Sequence, residues 1–126
     1  KWGEPRITPF FMQIERETYR QWLVDFMRDK YAILITARPS KYKEQTLTRI
    51  FSQTNWQPQE AYFAEISAPP PEIKENLLLR YIFPKHGKNG ADFFGIESNP
   101  KTRAMYRKYG ILSQSQADLQ KSVNIS

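Results

Sequence analysis

A threonine at the end of an apolar run is the first residue of this sequence that could do chemistry. The run YAILIT ends at Thr36, and the backbone amides of Ala37 and Arg38 follow it directly. A hydroxyl and oriented amides before a helix can bind an anion such as a phosphate group. The alternative is a turn threonine whose hydroxyl hydrogen-bonds only the local backbone.

Two charged residues further along the chain also stand where a predicted helix begins or a predicted strand ends. Lys74 lies in the first turn of a predicted helix that three consecutive prolines start. The partial positive charge of a helix N-terminus disfavours a lysine there, so Lys74 suits contact with an anion, the alternative being a solvated lysine. Glu97 ends a predicted strand, where a carboxylate can bind Mg²⁺. Alternatively Ser98 or Asn99 caps the next helix and Glu97 interacts with its dipole.

The apolar periodicity predicts the elements that would position these residues. Helices are predicted at 17–30, 40–55 (with Ser40 as N-cap), 69–83 and 100–109, and strands at 31–36, 60–66 and 92–97. Strict alternation of helix and strand predicts an α/β fold with a parallel sheet. Ligands in such folds bind at the carboxyl ends of the strands, where Thr36 and Glu97 stand.

The composition excludes several classes of protein. The chain has 126 residues, of which 40% are hydrophobic and none is cysteine. We therefore expect one compact domain without disulfides, thiol catalysis or cysteine-ligated metals. No apolar run approaches the roughly 20 residues of a membrane span. We expect a cytoplasmic protein without membrane contact.

The charge balance permits an anionic partner. Nineteen basic and thirteen acidic residues give a net charge of +6, which suits a nucleotide or a nucleic acid without selecting one. The predicted helix from Arg103 to Tyr109 carries basic and aromatic residues together. It is either a solvated face or a nucleic-acid patch. His86 has no readable partner and is predicted to lie on the surface.

Three stretches resemble motifs of the haloacid-dehalogenase-like (HAD) superfamily. LITARP at 34–39 is similar to the second motif, and Lys74 stands where the third-motif lysine is expected. GIESNPKTRAMYRKYGI at 95–111 is similar to the fourth motif and its helix. The TARP and ESNPKTRAMYRKYGI stretches also resemble phosphatase domains of polynucleotide kinase type. Over about residues 5–112, the resemblance implies a three-layer, Rossmann-type sandwich with a mostly parallel sheet.

The resemblance also implies a reaction. In the complete enzyme an aspartate would attack a phosphate ester, and water would hydrolyse the aspartyl-phosphate. Thr36 would hydrogen-bond the phosphoryl group, Lys74 would neutralise its charge, and Glu97 would help to hold Mg²⁺. The implied site comprises Thr36 and Lys74 as catalytic residues, Ala37 and Arg38 as substrate-binding residues, and Glu97, Ser98 and Asn99 as metal ligands.

The first motif of that superfamily, DxDx[TV], is absent from the chain. It carries the nucleophile and the acid/base aspartate, and no Asp-x-Asp occurs in this sequence. Its strand would lie between the second-motif and fourth-motif strands, so we expect the central strand to be missing here. We expect the gap to be filled by residues upstream of Lys1, by another chain or by a rearranged sheet. Segment 1–9 is predicted to be the loop after the missing motif.

These observations leave three hypotheses for the function. The first is a HAD-like phosphatase domain without its nucleophile segment, which alone would bind Mg²⁺ weakly and turn nothing over. The second is a non-catalytic scaffold or interaction domain with the same fold, and the third is a basic module associated with nucleic acid. We expect the HAD-like domain to cover 1–112. A polar tail, frayed or forming a short helix, would cover 113–126.

Overall fold

A computed structural model describes residues 10–12 and 21–125 of the chain. The predicted loop at 1–9 and the predicted helical residues 17–20 lie outside the described residues. Five strands and six α-helices occur in the described part: β1 (Phe10–Met12), α1 (Gln21–Met27), β2 (Ala32–Pro39), α2 (Lys43–Thr54), β3 (Glu60–Ala64), α3 (Pro70–Leu77), α4 (Phe83–His86), β4 (Phe94–Ile96), α5 (Pro100–Lys108), β5 (Leu112–Gln114) and α6 (Gln116–Ile125).

The strands form one sheet in the order β3-β2-β1-β4-β5. All four neighbouring pairs are parallel, which confirms the predicted α/β fold with a parallel sheet. Met12 of β1 is in register with Leu34 of β2 and with Ile96 of β4. Thr36, inside β2, and Glu97, directly after β4, therefore lie beyond the segments paired with β1, towards the carboxyl edge of the sheet.

The expectation that the central strand is missing from this chain is wrong. β1 lies between β2 and β4, so the gap is filled by residues 10–12 and not by an upstream segment or another chain. The strand has only three residues, too few to show a period. Its sequence, FFM, is apolar throughout, as suits a strand with neighbours on both sides.

The segment after residue 112 adds to the sheet. β5 (Leu112–Gln114) pairs with β4, and α6 (Gln116–Ile125) follows it. Leu119 of α6 is buried in the core. The predicted polar tail at 113–126 therefore contains most of the edge strand β5. It also contains α6, which is the short helix that the sequence analysis gave as an alternative to a frayed tail.

Helices cover both faces of the sheet. They do so because successive side chains of β2 are apolar and contribute alternately to the cores on the two faces. Ile33 and Ile35 belong to one buried cluster, and Ala32 and Leu34 belong to the other. The first cluster includes residues of α3 and α5, and the second includes residues of α1, α2 and α6. The result is three layers with an apolar core on each side of the sheet.

Several helix ends differ from the prediction. Ser40 begins a 3₁₀ turn, Ser40–Tyr42, ahead of α2 and makes no side-chain cap. The predicted helix at 69–83 becomes α3, a π-helical turn (Leu78–Ile82) and α4. Pro84 has no N–H to donate, and the amide of Phe83 donates to the carbonyl of Leu78 five residues back.

Gly90 is a position where only glycine fits. A β-carbon placed there would lie 2.2 Å from the carbonyl oxygen of Tyr109 and 2.7 Å from that of Gly110. We expect Gly90→Ala to lower the free energy of unfolding by about 2 kcal/mol, because the backbones must separate. Urea denaturation measures this effect. Lys88→Ala, at an exposed position in the same loop, is the control and should change little; equal effects of the two substitutions would contradict the close approach.

Candidate functional site

A buried ion pair joins two of the predicted site residues at the carboxyl edge of the sheet. The Lys74 Nζ atom lies 2.6 Å from Oε1 of Glu97, and the two side chains are 0% and 1% exposed. α3 brings Lys74 there by packing against β2 and α5, and Glu97 directly follows β4. Lys74 is therefore not the solvated lysine that the sequence left open.

The second carboxylate oxygen of Glu97 is also engaged. Oε2 accepts a hydrogen bond of 3.0 Å from the backbone amide of Asn99. Oδ1 of Asn99 accepts the amide of Lys101 at 2.9 Å, so Asn99 is the N-cap of α5. The Arg103 guanidinium donates to the carbonyls of Glu97 and Ser98, each at 2.9 Å. The turn after β4 is thus fixed by hydrogen bonds at every residue from 97 to 99.

Thr36 is buried but uses its hydroxyl locally. Its Oγ1 accepts a hydrogen bond of 3.1 Å from the amide of Arg38, which is the turn geometry of the alternative interpretation. Ala37 and Arg38 are half-buried. Among the described residues, no hydrogen bond joins Thr36 to Lys74 or Glu97, so two of the three predicted residues are directly bonded to each other.

This donor set does not fit a magnesium site in the present arrangement. Mg²⁺ prefers free carboxylate oxygens and water, whereas both oxygens of Glu97 already accept hydrogen bonds. The side-chain oxygen of Asn99 caps α5, and Ser98 is exposed. Within residues 10–12 and 21–125, no three carboxylate or histidine side chains converge. A divalent cation at Glu97 would compete with both of these hydrogen bonds.

Tyr106 is buried within the electrostatic reach of Glu97, which the sequence did not indicate. Its side chain is buried, and burial together with the negative charge of Glu97 raises the pKa of the Tyr106 hydroxyl well above its usual 10. Thr102, Met105 and Tyr106 recur on one face of α5 and are all buried. That helical spacing is the signal that could have assigned Tyr106 to the core.

The basic and aromatic residues of α5 are mostly engaged within the protein. Arg103 holds backbone carbonyls, and Lys108 binds Glu75 with an Nζ–Oε2 distance of 2.6 Å. The Tyr109 hydroxyl also donates to Glu75. A stacking platform for bases needs exposed aromatic rings beside free cations. The geometry of α5 therefore does not favour the nucleic-acid hypothesis.

A second polar cluster, at the amino end of β3, was missed by the sequence analysis. Glu60 accepts hydrogen bonds from the hydroxyls of Tyr31 (2.5 Å) and Tyr62 (2.6 Å), and Nε2 of His86 lies 2.7 Å away. Lys85 is 3.3 Å from the same carboxylate. The prediction of a surface His86 is wrong, because its side chain is only 20% exposed and is bound to Glu60.

The pKa of Glu60 reflects these partners. Burial by itself would raise it, but the hydrogen bonds from Tyr31, Tyr62 and His86 stabilise the carboxylate and lower its pKa to about 2. The same bond to Glu60 raises the pKa of Tyr31 to about 12. The cluster fixes α4 to the sheet with ionised Glu60 at its centre, at the edge opposite to Lys74 and Glu97.

We compared the chain with known protein families, curated proteins and solved structures. No family model, no curated protein and no solved structure matches this chain. Among the described residues, no helix has both the length and the apolar character needed to cross a bilayer. The function must therefore be argued from the geometry of the site.

Proposed function

We propose that this chain is a HAD-like α/β domain that acts as an interaction or scaffold domain and does not turn over phosphate esters. The order of the sheet supports the HAD-like part, because β1 lies between the strands that carry Thr36 and Glu97. The resemblance described above expects the first-motif strand in that place. In sequence, β1 is followed by Gln13, Ile14 and Glu15, so Asp-x-Asp does not follow it.

The ion pair between Lys74 and Glu97 carries the proposal. In a phosphatase of this type, the lysine would neutralise a phosphoryl group and the acidic residue would bind Mg²⁺. Here each side chain neutralises the other at 2.6 Å and both are buried. A pair of this kind resists binding of a further ion, because separating the two buried groups would cost their mutual attraction at 2.6 Å.

The competing hypothesis is phosphatase activity with aspartates supplied from elsewhere. It rests on the same three positions, Thr36, Lys74 and Glu97, and on the implied Mg²⁺ ion. The sequence also predicts a phosphorylated or nucleic-acid ligand. It predicts a cytoplasmic location as well, and both of these stay predictions.

A hydrolysis assay distinguishes the two hypotheses. We expect the purified chain to hydrolyse p-nitrophenyl phosphate at the rate of buffer alone, with or without MgCl₂, since its sequence has no Asp-x-Asp and the Lys74 ammonium group is paired with Glu97. A known Mg²⁺-dependent phosphatase serves as the positive control. Hydrolysis that requires Mg²⁺ and is abolished by Thr36→Val would contradict the proposal and favour the phosphatase.

A further inference from the structure

An exposed apolar corner lies where β2 and β3 leave the sheet. β2 and β3 pair as far as Pro39 and Ala64, so their following loops begin at the same level. Tyr42 ends the 3₁₀ turn after β2, and that turn contacts β3. Ile66 follows β3 by two residues. Tyr42 and Ile66 are each 41% exposed, although side chains of this size and character normally pack inside.

Prolines stiffen this surface, which we name the β2–β3 corner and define by Pro39, Lys41, Tyr42, Ile66 and Pro69. Pro39 precedes the 3₁₀ turn, and Pro69 precedes α3 in an extended conformation. Both prolines are exposed. Because proline fixes its own backbone angle, this corner loses little conformational entropy when a partner binds.

Most charged side chains around the β2–β3 corner are basic, and they are not engaged in ion pairs with other described residues. Arg38, Lys41 and Lys43 follow one another closely, and no ion pair between described residues includes any of them. Lys41 Nζ lies 5.2 Å from the centre of the Tyr42 ring. On the β3 side, Glu65 is paired with Arg80 at 3.5 Å, so its charge is largely compensated.

Resting on the proposed interaction function, we infer that the β2–β3 corner docks an acidic peptide segment that carries large apolar side chains. The apolar side chains would cover Tyr42 and Ile66, and the carboxylates would face Arg38, Lys41 and Lys43. Nucleic acid suits the surface less well, because successive bases need several aromatic rings to stack on and Tyr42 is the one ring among the residues that define the corner. Ile66 and the prolines offer no ring on which a base could stack.

Selection from a phage-displayed random peptide library against the full chain tests this inference. We expect the enriched peptides to combine excess Asp and Glu with a large apolar residue. Their Kd should rise roughly tenfold or more in Tyr42→Ser and in Ile66→Ser, since truncation of a central apolar contact has about this effect. Their affinity should also fall as salt is added.

Leu112→Ser is the matched control. Leu112 is 75% exposed on β5, at the opposite edge of the sheet, so its truncation should leave peptide binding unchanged. The absence of enriched peptides, or peptides indifferent to both Tyr42→Ser and Ile66→Ser, would overturn the inference. Binding of a single-stranded oligonucleotide that Tyr42→Ser abolishes would overturn it in favour of nucleic acid. Phosphatase activity would refute the proposed function, whereas the inference about the β2–β3 corner is decided by the peptide selection and the Tyr42→Ser and Ile66→Ser variants.

Discussion

Replacing Lys74 by methionine is expected to lower the free energy of unfolding by about 3–5 kcal/mol, because the buried carboxylate of Glu97 then loses the positive charge of Lys74. Methionine is of similar length and keeps the apolar contacts of the lysine stem. The loss is expected to be large because neither side chain of the pair is more than 1% exposed. Urea denaturation of the full chain, followed by circular dichroism, measures it.

Lys108→Met is the matched control for this substitution. Lys108 also pairs with a glutamate at 2.6 Å, but its side chain is 59% exposed. Its removal should change the free energy of unfolding much less than Lys74→Met does, because solvent screens an exposed ion pair. The double variant Lys74→Met with Glu97→Gln should recover part of the loss, since neither member of the pair then carries a charge. Equal effects of Lys74→Met and Lys108→Met would contradict a buried pair.

Replacing Glu60 by alanine is expected to lower the free energy of unfolding by about 3 kcal/mol, because several donors lose their shared acceptor. Tyr31, Tyr62 and His86 would be left without the carboxylate that orients them. Thermal or urea unfolding measures the effect. Glu65→Ala, which removes a more exposed carboxylate bound to Tyr81 and Arg80, is the control and should have a clearly smaller effect.

The contribution of Glu60 should also depend on pH. Its pKa lies at about 2 in the folded protein and near its ordinary 4.5 in the unfolded chain. A lowered folded-state pKa means that the stabilisation is complete above about pH 4.5 and is lost as the pH falls towards 2. Glu60→Gln should therefore flatten the pH dependence of the unfolding free energy in this window. An unchanged slope in Glu60→Gln would show that other groups cause the acid sensitivity.

The alternation of helices and strands could be predicted because most elements are long enough to show their period. β2 has eight residues and α2 has twelve, and both were predicted with small errors at their ends. β1 and β5 have three residues each and were missed, whereas the equally short β4 lies within a longer apolar run at 92–97 and was predicted. Such short strands exist because neighbouring strands pair with them, which is tertiary information that their own residues do not carry.

The residues of the candidate site could be selected from the sequence, but their pairing could not. Strand ends indicated Thr36 and Glu97, and the position after three prolines indicated Lys74. That Lys74 meets Glu97 depends on how α3 packs against α5, across 23 residues of separation. The cluster around Glu60 was missed for the same reason, because His86 and Glu60 come from elements 26 residues apart.

The state of the Lys74 ammonium group can be observed directly by ¹⁵N NMR of the full chain, with Lys74→Met identifying its resonance. A buried ammonium paired with Glu97 should give a signal protected from exchange with water, and neither Mg²⁺ nor inorganic phosphate should shift it. That result would support a site closed by its own ion pair. A saturable shift of the Lys74 signal when Mg²⁺ and phosphate are added together would contradict this and show that the edge binds the ligands of a phosphatase.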